Sequence, residues 1–145
     1  MATITVRPAT PDDATALARL LDLFDSMGAT SEQVAARMRA CQNVLTTFLG
    51  EMDGQPVGFA CLRLVPHLQG DEAYAELTDI YVDAPFRRQG VARALIAQVE
   101  AAARAAGARE VVLITGFDNE DAQAAYRASG YAKWALAMQK RFPDD

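Results

Sequence analysis

The sequence has very little of what metal and disulfide chemistry require. One histidine, His67, and two cysteines, Cys41 and Cys61, stand among 145 residues. The cysteines lack Cys-x-x-Cys spacing and one histidine cannot complete a ligand set, so we expect no metal site. A nucleophilic cysteine is also disfavoured, because His67 follows Cys61 by six residues in a predicted loop. Both thiols lie in apolar patterns and are expected to fill the core.

Long apolar runs and an excess of positive charge are missing too. No stretch approaches the ~20 residues of a membrane span, and the amino terminus lacks the apolar core of a signal peptide. We therefore expect a soluble, cytoplasmic protein with no membrane partner. The net charge of −5 argues against nucleic acid as a partner, because phosphate binding needs clustered lysine and arginine. It suits a cationic substrate.

Composition and length favour one folded domain over residues 1–145. Hydrophobic residues make up 51% and charged residues 23% of the chain, which disfavours disorder. Periodicity and turn signals predict both strands and helices. The predicted strands are 3–8, 46–51, 56–65, 74–82, 111–114 and 136–141. The predicted helices run from Thr10 to Gly28, from Ser31 to Asn43, from Gly90 to Gly107 and over 120–128.

The predicted helices each present one apolar face, which indicates packing against a sheet. Between the second and third strands, Asp53-Gly54 is the strongest short signal for a hairpin turn. The helical residues expected to face the core are Leu17, Leu20, Leu21, Phe24, Val34, Met38, Cys41, Val91, Leu95, Ile96 and Val99.

The segment Arg-Arg-Gln-Gly-Val-Ala, residues 87–92, lies between a predicted strand and a long predicted helix. The first amides of a helix have no internal partner and lie at the positive end of its dipole, where they can hold a diphosphate. Gly90 allows the backbone to come close and Ala92 keeps the first turn small. Residues 87–92 are therefore predicted to form a pyrophosphate cradle. Neither a Walker A pattern nor a Gly-x-Gly-x-x-Gly pattern is present.

The uninterrupted apolar run Val111–Ile114 predicts a strand that is covered on both faces and pairs in parallel. We expect it to lie beside Leu77–Val82. Residues 76–115 then form a right-handed strand–helix–strand crossover, with a ligand site at the carboxyl end of its first strand.

The spacing Arg-x-x-Gly-x-Ala in the cradle resembles the acyl-CoA signature of the GNAT superfamily of N-acetyltransferases. A second segment, residues 119–131, is similar to the family's Asn-x-x-Ala-x-x-Leu-Tyr-x-x-x-Gly-Phe pattern. The predicted order of elements is also that of a GNAT domain. The resemblance implies an α/β (α+β) fold in one domain, with a mixed central sheet of about six to seven strands and helices on both faces. It further implies acetyl-CoA as cosubstrate.

The resemblance also assigns cofactor-binding residues. It implies that the backbone of Ile80, Tyr81 and Val82 pairs with the pantetheine arm, that Arg87 or Arg88 adds side-chain charge, and that Tyr126 lies near the cofactor sulfur. Asn119 either fixes the same arm or serves as a helix N-cap. The diphosphate is expected on the backbone amides of Arg88, Gln89, Gly90, Val91, Ala92 and Arg93.

Two side chains are candidates for catalysis. The resemblance places Glu76 where some members carry a general base, and a carboxylate can take a proton from an amine directly or through water. Asp79 and ordered water are the competitors for this role. Strand alternation predicts that Asp79 and Glu76 face opposite sides of the sheet, so that only one can reach the acetyl group. The phenol of Tyr126 can return a proton to the leaving thiolate, or it can be a packing residue.

The interpretation is an acetyl-CoA-dependent N-acetyltransferase in which a primary amine of a small cationic molecule attacks directly in a ternary complex. A peptide or protein amine as acceptor and a non-catalytic acyl-CoA-binding sensor are the alternatives. Tyr131 and Trp134 lie where the last strands of such folds often border the acceptor pocket. Domains of this family are often homodimers, but the sequence identifies no interface.

Overall fold

The structure, a computed structural model, describes residues 1–144. The chain forms two compact units, one over residues 1–113 and one from residue 114 onward. The strands are β1 Ile4–Pro8, β2 Leu45–Met52, β3 Gln55–Val65, β4 Tyr74–Val82 and β5 Val111–Leu113. The helices are α1 Ala14–Asp25, α2 Ser31–Cys41, α3 Val91–Ala105 and α4 Glu120–Ala128, with single 3₁₀ turns at Pro11–Asp13 and Ala84–Phe86.

The sheet lies in the first unit and has the strand order β1-β2-β3-β4-β5. The first four strands pair antiparallel, and β5 pairs parallel to β4. The predicted hairpin is confirmed: Asp53 and Gly54 have φ values of 50° and 81°, as a two-residue type I′ turn requires. The predicted parallel crossover through α3 is confirmed as well.

Helices pack on both faces of this sheet, as predicted. On one face, Leu49 and Phe59 share a buried cluster with Leu17 and Leu20 of α1 and with Val34 of α2. On the other face the strands approach α3 closely. A Cβ atom added to Gly50 would lie 3.2 Å from Val91, and one added to Gly58 would lie 3.4 Å from Leu95. The two glycines let α3 pack directly onto the sheet.

The number of strands is lower than predicted. Residues 1–144 contain five strands rather than six or seven, and the predicted strand over 136–141 does not form. Its alternating apolar residues remain exposed, with Leu136 at 76% and Met138 at 88%. Alternation fixes only where side chains point. A strand also needs a neighbouring backbone to bond with, and the sequence pattern does not supply one.

Three expectations about burial are wrong. Cys41 is exposed at the last turn of α2, and Phe24 is 43% exposed although its ring contacts those of Phe59 and Tyr81. Val111–Leu113 is only half-buried, and Ile114 is 77% exposed. The physical reason is shared: these residues lie at the end of a helix or at the edge of the sheet, where one side has no cover. None of the helices within residues 1–144 combines the length and apolar character of a membrane span.

Gly58 is a sensitive point of the packing between β3 and β4. A Cβ atom there would lie 2.7 Å from the Tyr81 carbonyl oxygen, whereas a Cβ atom on Gly70 would meet nothing within 4 Å. We expect Gly58→Ala to lower the free energy of unfolding by about 1–3 kcal/mol through overpacking. The control, Gly70→Ala, should stay within about 0.5 kcal/mol of the parent. Urea denaturation measures both, and equal midpoints would contradict this account of the packing.

Candidate active site

The amino end of α3 presents a run of backbone amides, as the cradle prediction requires. Arg88 and Gly90 have left-handed φ values of 61° and 96°, and Gly90 is the N-cap without a side-chain cap. The first bond into the helix runs from the Ala94 amide to the Gly90 carbonyl at 3.0 Å. Among residues 1–144, the amides of residues 88–93 have no hydrogen-bond partner. Such a run of amides at a positive helix end is an anion-binding arrangement.

The two arginines in front of α3 differ in their surroundings. Arg87 donates from Nε to the Val82 carbonyl at 2.9 Å, and its guanidinium lies 5.5 Å from the centre of the Tyr81 ring. It therefore ties the loop to the end of β4. Arg88 is exposed, and within the described chain it has no ion-pair or side-chain hydrogen-bond partner. Of the two, Arg88 is the one whose charge is available to a ligand.

The outer edge of β4 is open over much of its length. β5 pairs only with Ala75–Leu77, so the predicted pairing beside Leu77–Val82 overlaps the observed one at Leu77 alone. From Thr78 to Val82, β4 has no strand partner on that side within residues 1–144. The open edge includes Ile80, Tyr81 and Val82, and its end leads into the loop before α3.

Glu76 and Asp79 lie on the same face of the sheet, which corrects the prediction that they face opposite sides. Asp79 pairs with Cys61 and Glu76 pairs with Arg63, and the register shifts between these pairs. Because Cys61 and Arg63 are two residues apart on β3, their partners point to the same side. The irregularity makes Thr78 an extra residue in β4, and simple alternation could not anticipate it.

The two carboxylates have different surroundings. Glu76 Oε2 accepts a hydrogen bond from Arg63 Nη2 at 2.8 Å, a cross-strand ion pair that only the register reveals. Asp79 is half-buried and has no hydrogen-bond or ion-pair partner among residues 1–144. It lines a cavity between the sheet and helices α1 and α2. Cys61 lies beside it in the same wall. Burial raises the pKa of this thiol to about 11, so it is neutral at pH 7 and a poor nucleophile.

In the second unit, Tyr126 lies in α4 and Asn119 directly precedes this helix. Asn119 Oδ1 accepts a hydrogen bond from the Ala122 amide at 3.3 Å, which confirms it as the N-cap. Tyr126 is half-buried, with its ring 6.1 Å from that of Tyr131. Burial raises the pKa of the Tyr126 phenol above its ordinary value, so it is protonated at neutral pH. Trp134 is 78% exposed.

Comparison with known proteins identifies the family. Residues 15–131 match the model of the acetyltransferase (GNAT) family. The chain is 34% identical over 144 residues to an aminoglycoside N(6')-acetyltransferase type 1 from Stenotrophomonas maltophilia, covering 96% of this chain and 93% of that protein.

Solved structures have the same fold. The aminoglycoside N-acetyltransferase AAC(6')-Iy in complex with CoA superposes with a TM-score of 0.84 at 22% identity, over 98% of this chain and 96% of that one. A ribosomal-protein-alanine N-acetyltransferase from Brucella melitensis gives 0.84 at 20% identity, over 97% and 99%. The fold is thus shared by proteins named for different acceptors. By its sequence and its fold, the chain belongs to the GNAT family and is an N-acetyltransferase that uses acetyl-CoA.

Proposed function

We propose that this enzyme transfers the acetyl group of acetyl-CoA to a primary amine of a small cationic molecule, by direct attack within a ternary complex. The observation that carries the proposal is the run of unpartnered amides at residues 88–93, reached from the open edge of β4. The carboxylates of Glu76 and Asp79 lie on one face of that strand. An anion site, an open strand edge and a base are the three parts that the reaction needs.

The donor set fits the cofactor. The amides of residues 88–93 would hold the diphosphate, with the exposed charges of Arg88 and Arg93 beside them. Ile80–Val82 would pair with the amides of the pantetheine arm as an added strand does. The side-chain oxygen of Asn119 caps α4. Its side-chain NH2 group would donate a further hydrogen bond to the pantetheine arm.

The residues of this chain then have three tasks in the reaction. The thioester supplies the acetyl group, and a bond from the amine nitrogen to the carbonyl carbon forms as the carbon–sulfur bond breaks. Glu76, directly or through water, takes the proton that turns the ammonium group into a free amine, and the nitrogen passes its second proton to water after the attack. Tyr126, protonated at neutral pH, gives a proton to the departing sulfur. A strand amide near Tyr81 or Val82 donates to the carbonyl oxygen while it carries negative charge.

The negative net charge of the chain favours a cationic acceptor, and the name of one relative favours a small one. The net charge of −5 and the two carboxylates on one face attract cations. The relative from Stenotrophomonas maltophilia, similar over nearly the full length of both proteins, is named for an aminoglycoside. The Brucella melitensis protein of the same fold is named for a protein acceptor, which keeps a peptide amine as the second candidate. A sensor that binds acyl-CoA without turnover is the outcome if no amine is acetylated.

The anion site can be tested with a pair of glycine variants. Gly90→Asp places a negative charge and a side chain at the amino end of α3. Gly107→Asp makes the same change at another left-handed glycine, with φ +87°, just beyond the carboxyl end of that helix. We expect Gly90→Asp to weaken CoA binding at least about tenfold and Gly107→Asp to leave it near the parent. Titration calorimetry measures both. Equal affinity in all three proteins would exclude this site.

The base can be tested through the pH dependence of the rate. Glu76→Gln removes a proton acceptor and should lower kcat by about 10²–10⁴-fold at neutral pH, with partial recovery at alkaline pH, where free amine is abundant. Glu72→Gln, an exposed carboxylate paired with Arg109, is the control. A parental pH–rate profile in Glu76→Gln would remove Glu76 from the mechanism.

The acid can be tested by separating turnover from cofactor binding. Tyr126→Phe keeps the ring and removes the proton donor, so kcat should fall about 10–100-fold while CoA affinity stays within about twofold of the parent. Tyr74→Phe, another tyrosine with a half-buried side chain, is the control. Equal losses in kcat and in CoA affinity would assign Tyr126 to packing.

A further inference from the structure

A cavity of about 220 Å³ lies within the first unit, between helices α1 and α2 and strands β2, β3 and β4. Pockets that bury drug-sized ligands are larger, roughly 300–1,000 Å³, whereas an apolar cavity of about 150 Å³ is enough for benzene. The space therefore admits a ring, or a chain of about six carbons, and little more.

The walls of the cavity are largely apolar. The helices and strands contribute the aliphatic and aromatic side chains of Leu17, Leu21, Val34, Met38, Leu45 and Phe59. A ligand with several hydroxyl or ammonium groups would leave those groups without partners here, and each unpaired polar group costs free energy. The walls thus favour a hydrocarbon body.

One charge stands out in the inner wall. The Asp79 carboxylate is half-buried, and no other group of residues 1–144 gives it a hydrogen bond or an ion pair. Arg37 also lines the cavity, but it lies on the exposed side of α2, where water screens its charge. A cation entering from outside would give Asp79 the partner it lacks.

We propose that this cavity is the acceptor pocket and that it selects primary monoamines on a compact apolar stem, with the stem in the cavity and the ammonium group against Asp79. This inference rests on the proposed function and narrows it. It departs from the aminoglycosides for which the relative from Stenotrophomonas maltophilia is named. Asp79 lies on β4, three residues beyond Glu76 on the same face, so the anchored ammonium group lies at the strand of the proposed base. Glu76 then takes a proton from it, and the free amine that results attacks the thioester.

A series of linear amines tests the apolar wall. With acetyl-CoA saturating, kcat/KM should rise about fourfold for each methylene from ethylamine to hexylamine, the gain expected for burying one methylene, and should then level off. 2-Phenylethylamine should match hexylamine. 2-(2-Aminoethoxy)ethanol, of similar length but polar, and kanamycin should be poorer by at least about tenfold. A flat series, or kanamycin as the best acceptor, would overturn the inference while the proposed acetyl transfer stands.

Two matched pairs of variants test the residues. Asp79→Asn should raise KM for hexylamine about tenfold or more and keep the pH profile of kcat, while Asp71→Asn in the exposed loop should change neither. Cys41→Trp at the cavity should raise KM for hexylamine similarly, and Ala36→Trp on the exposed face of α2 should not. If Asp79→Asn instead removed the pH dependence of kcat and left KM unchanged, Asp79 would be the general base and would not be an anchor for the ammonium group.

A binding readout keeps the inference testable without turnover. Cys41 is exposed and lines the cavity, whereas Cys61 is buried, so N-ethylmaleimide should label Cys41 first. In the complex with desulfo-CoA, which has no thiol to consume the reagent, hexylamine should slow that labelling and 2-(2-aminoethoxy)ethanol should not, and Asp79→Asn should abolish the protection. Unchanged labelling in the presence of hexylamine would refute the pocket. Protection without acetylation of any amine would support the pocket and refute the proposed transfer.

Discussion

Strand β5 stops pairing with β4 after Leu77, and the rest of the site depends on this constraint. A strand in the middle of a sheet uses its backbone groups on both sides, and groups left unpaired in a buried place are costly. Here β5 pairs with three residues of β4 and no more. The remainder of the β4 edge is available for an extended amide-bearing ligand, and the chain passes directly from that edge to the unpartnered amides at the start of α3.

The register shift in β4 adds a second constraint. With one extra residue in the strand, Glu76 and Asp79 share a face that strict alternation would have divided between them. Both carboxylates therefore lie on the face of the sheet that α1 and α2 cover. The side of α3 stays free for close packing, where Gly50 and Gly58 allow the helix to contact the strands. Both faces of the sheet are thus packed by helices, and the two carboxylates lie on the face opposite α3.

One group of charges in the first unit, around Arg7 near the start of the chain, is fully paired. Arg7 contacts both Asp13 and Glu51, at 2.7 and 2.8 Å, and this contact holds the pKa of Asp13 below its ordinary value. By contrast, Asp79 and the amides of residues 88–93 have no partner within residues 1–144. The backbone amides and the carboxylate are therefore free to take a ligand as their partner.

Much of this protein follows from local sequence. The Asp53-Gly54 turn and the start of α3 at Gly90 depend on residues close together in the chain, so backbone preference and periodicity were enough to predict them. For Asn119 the local sequence left a helix cap and a cofactor contact open, and the structure shows the cap. The parallel crossover followed from the order and apolar pattern of the elements. The order of these elements, with the cradle spacing, also led to the correct family.

Tertiary structure alone decided where strands stop pairing and which side chains meet. The absence of a strand at 136–141, the exposure of Cys41, the short β5, the Arg63–Glu76 pair and the shared face of Glu76 and Asp79 all depend on contacts between distant segments. A sequence pattern records which way a side chain points relative to its own backbone. Strand register and side-chain burial both depend on a second segment of the chain, and only folding brings the two segments together.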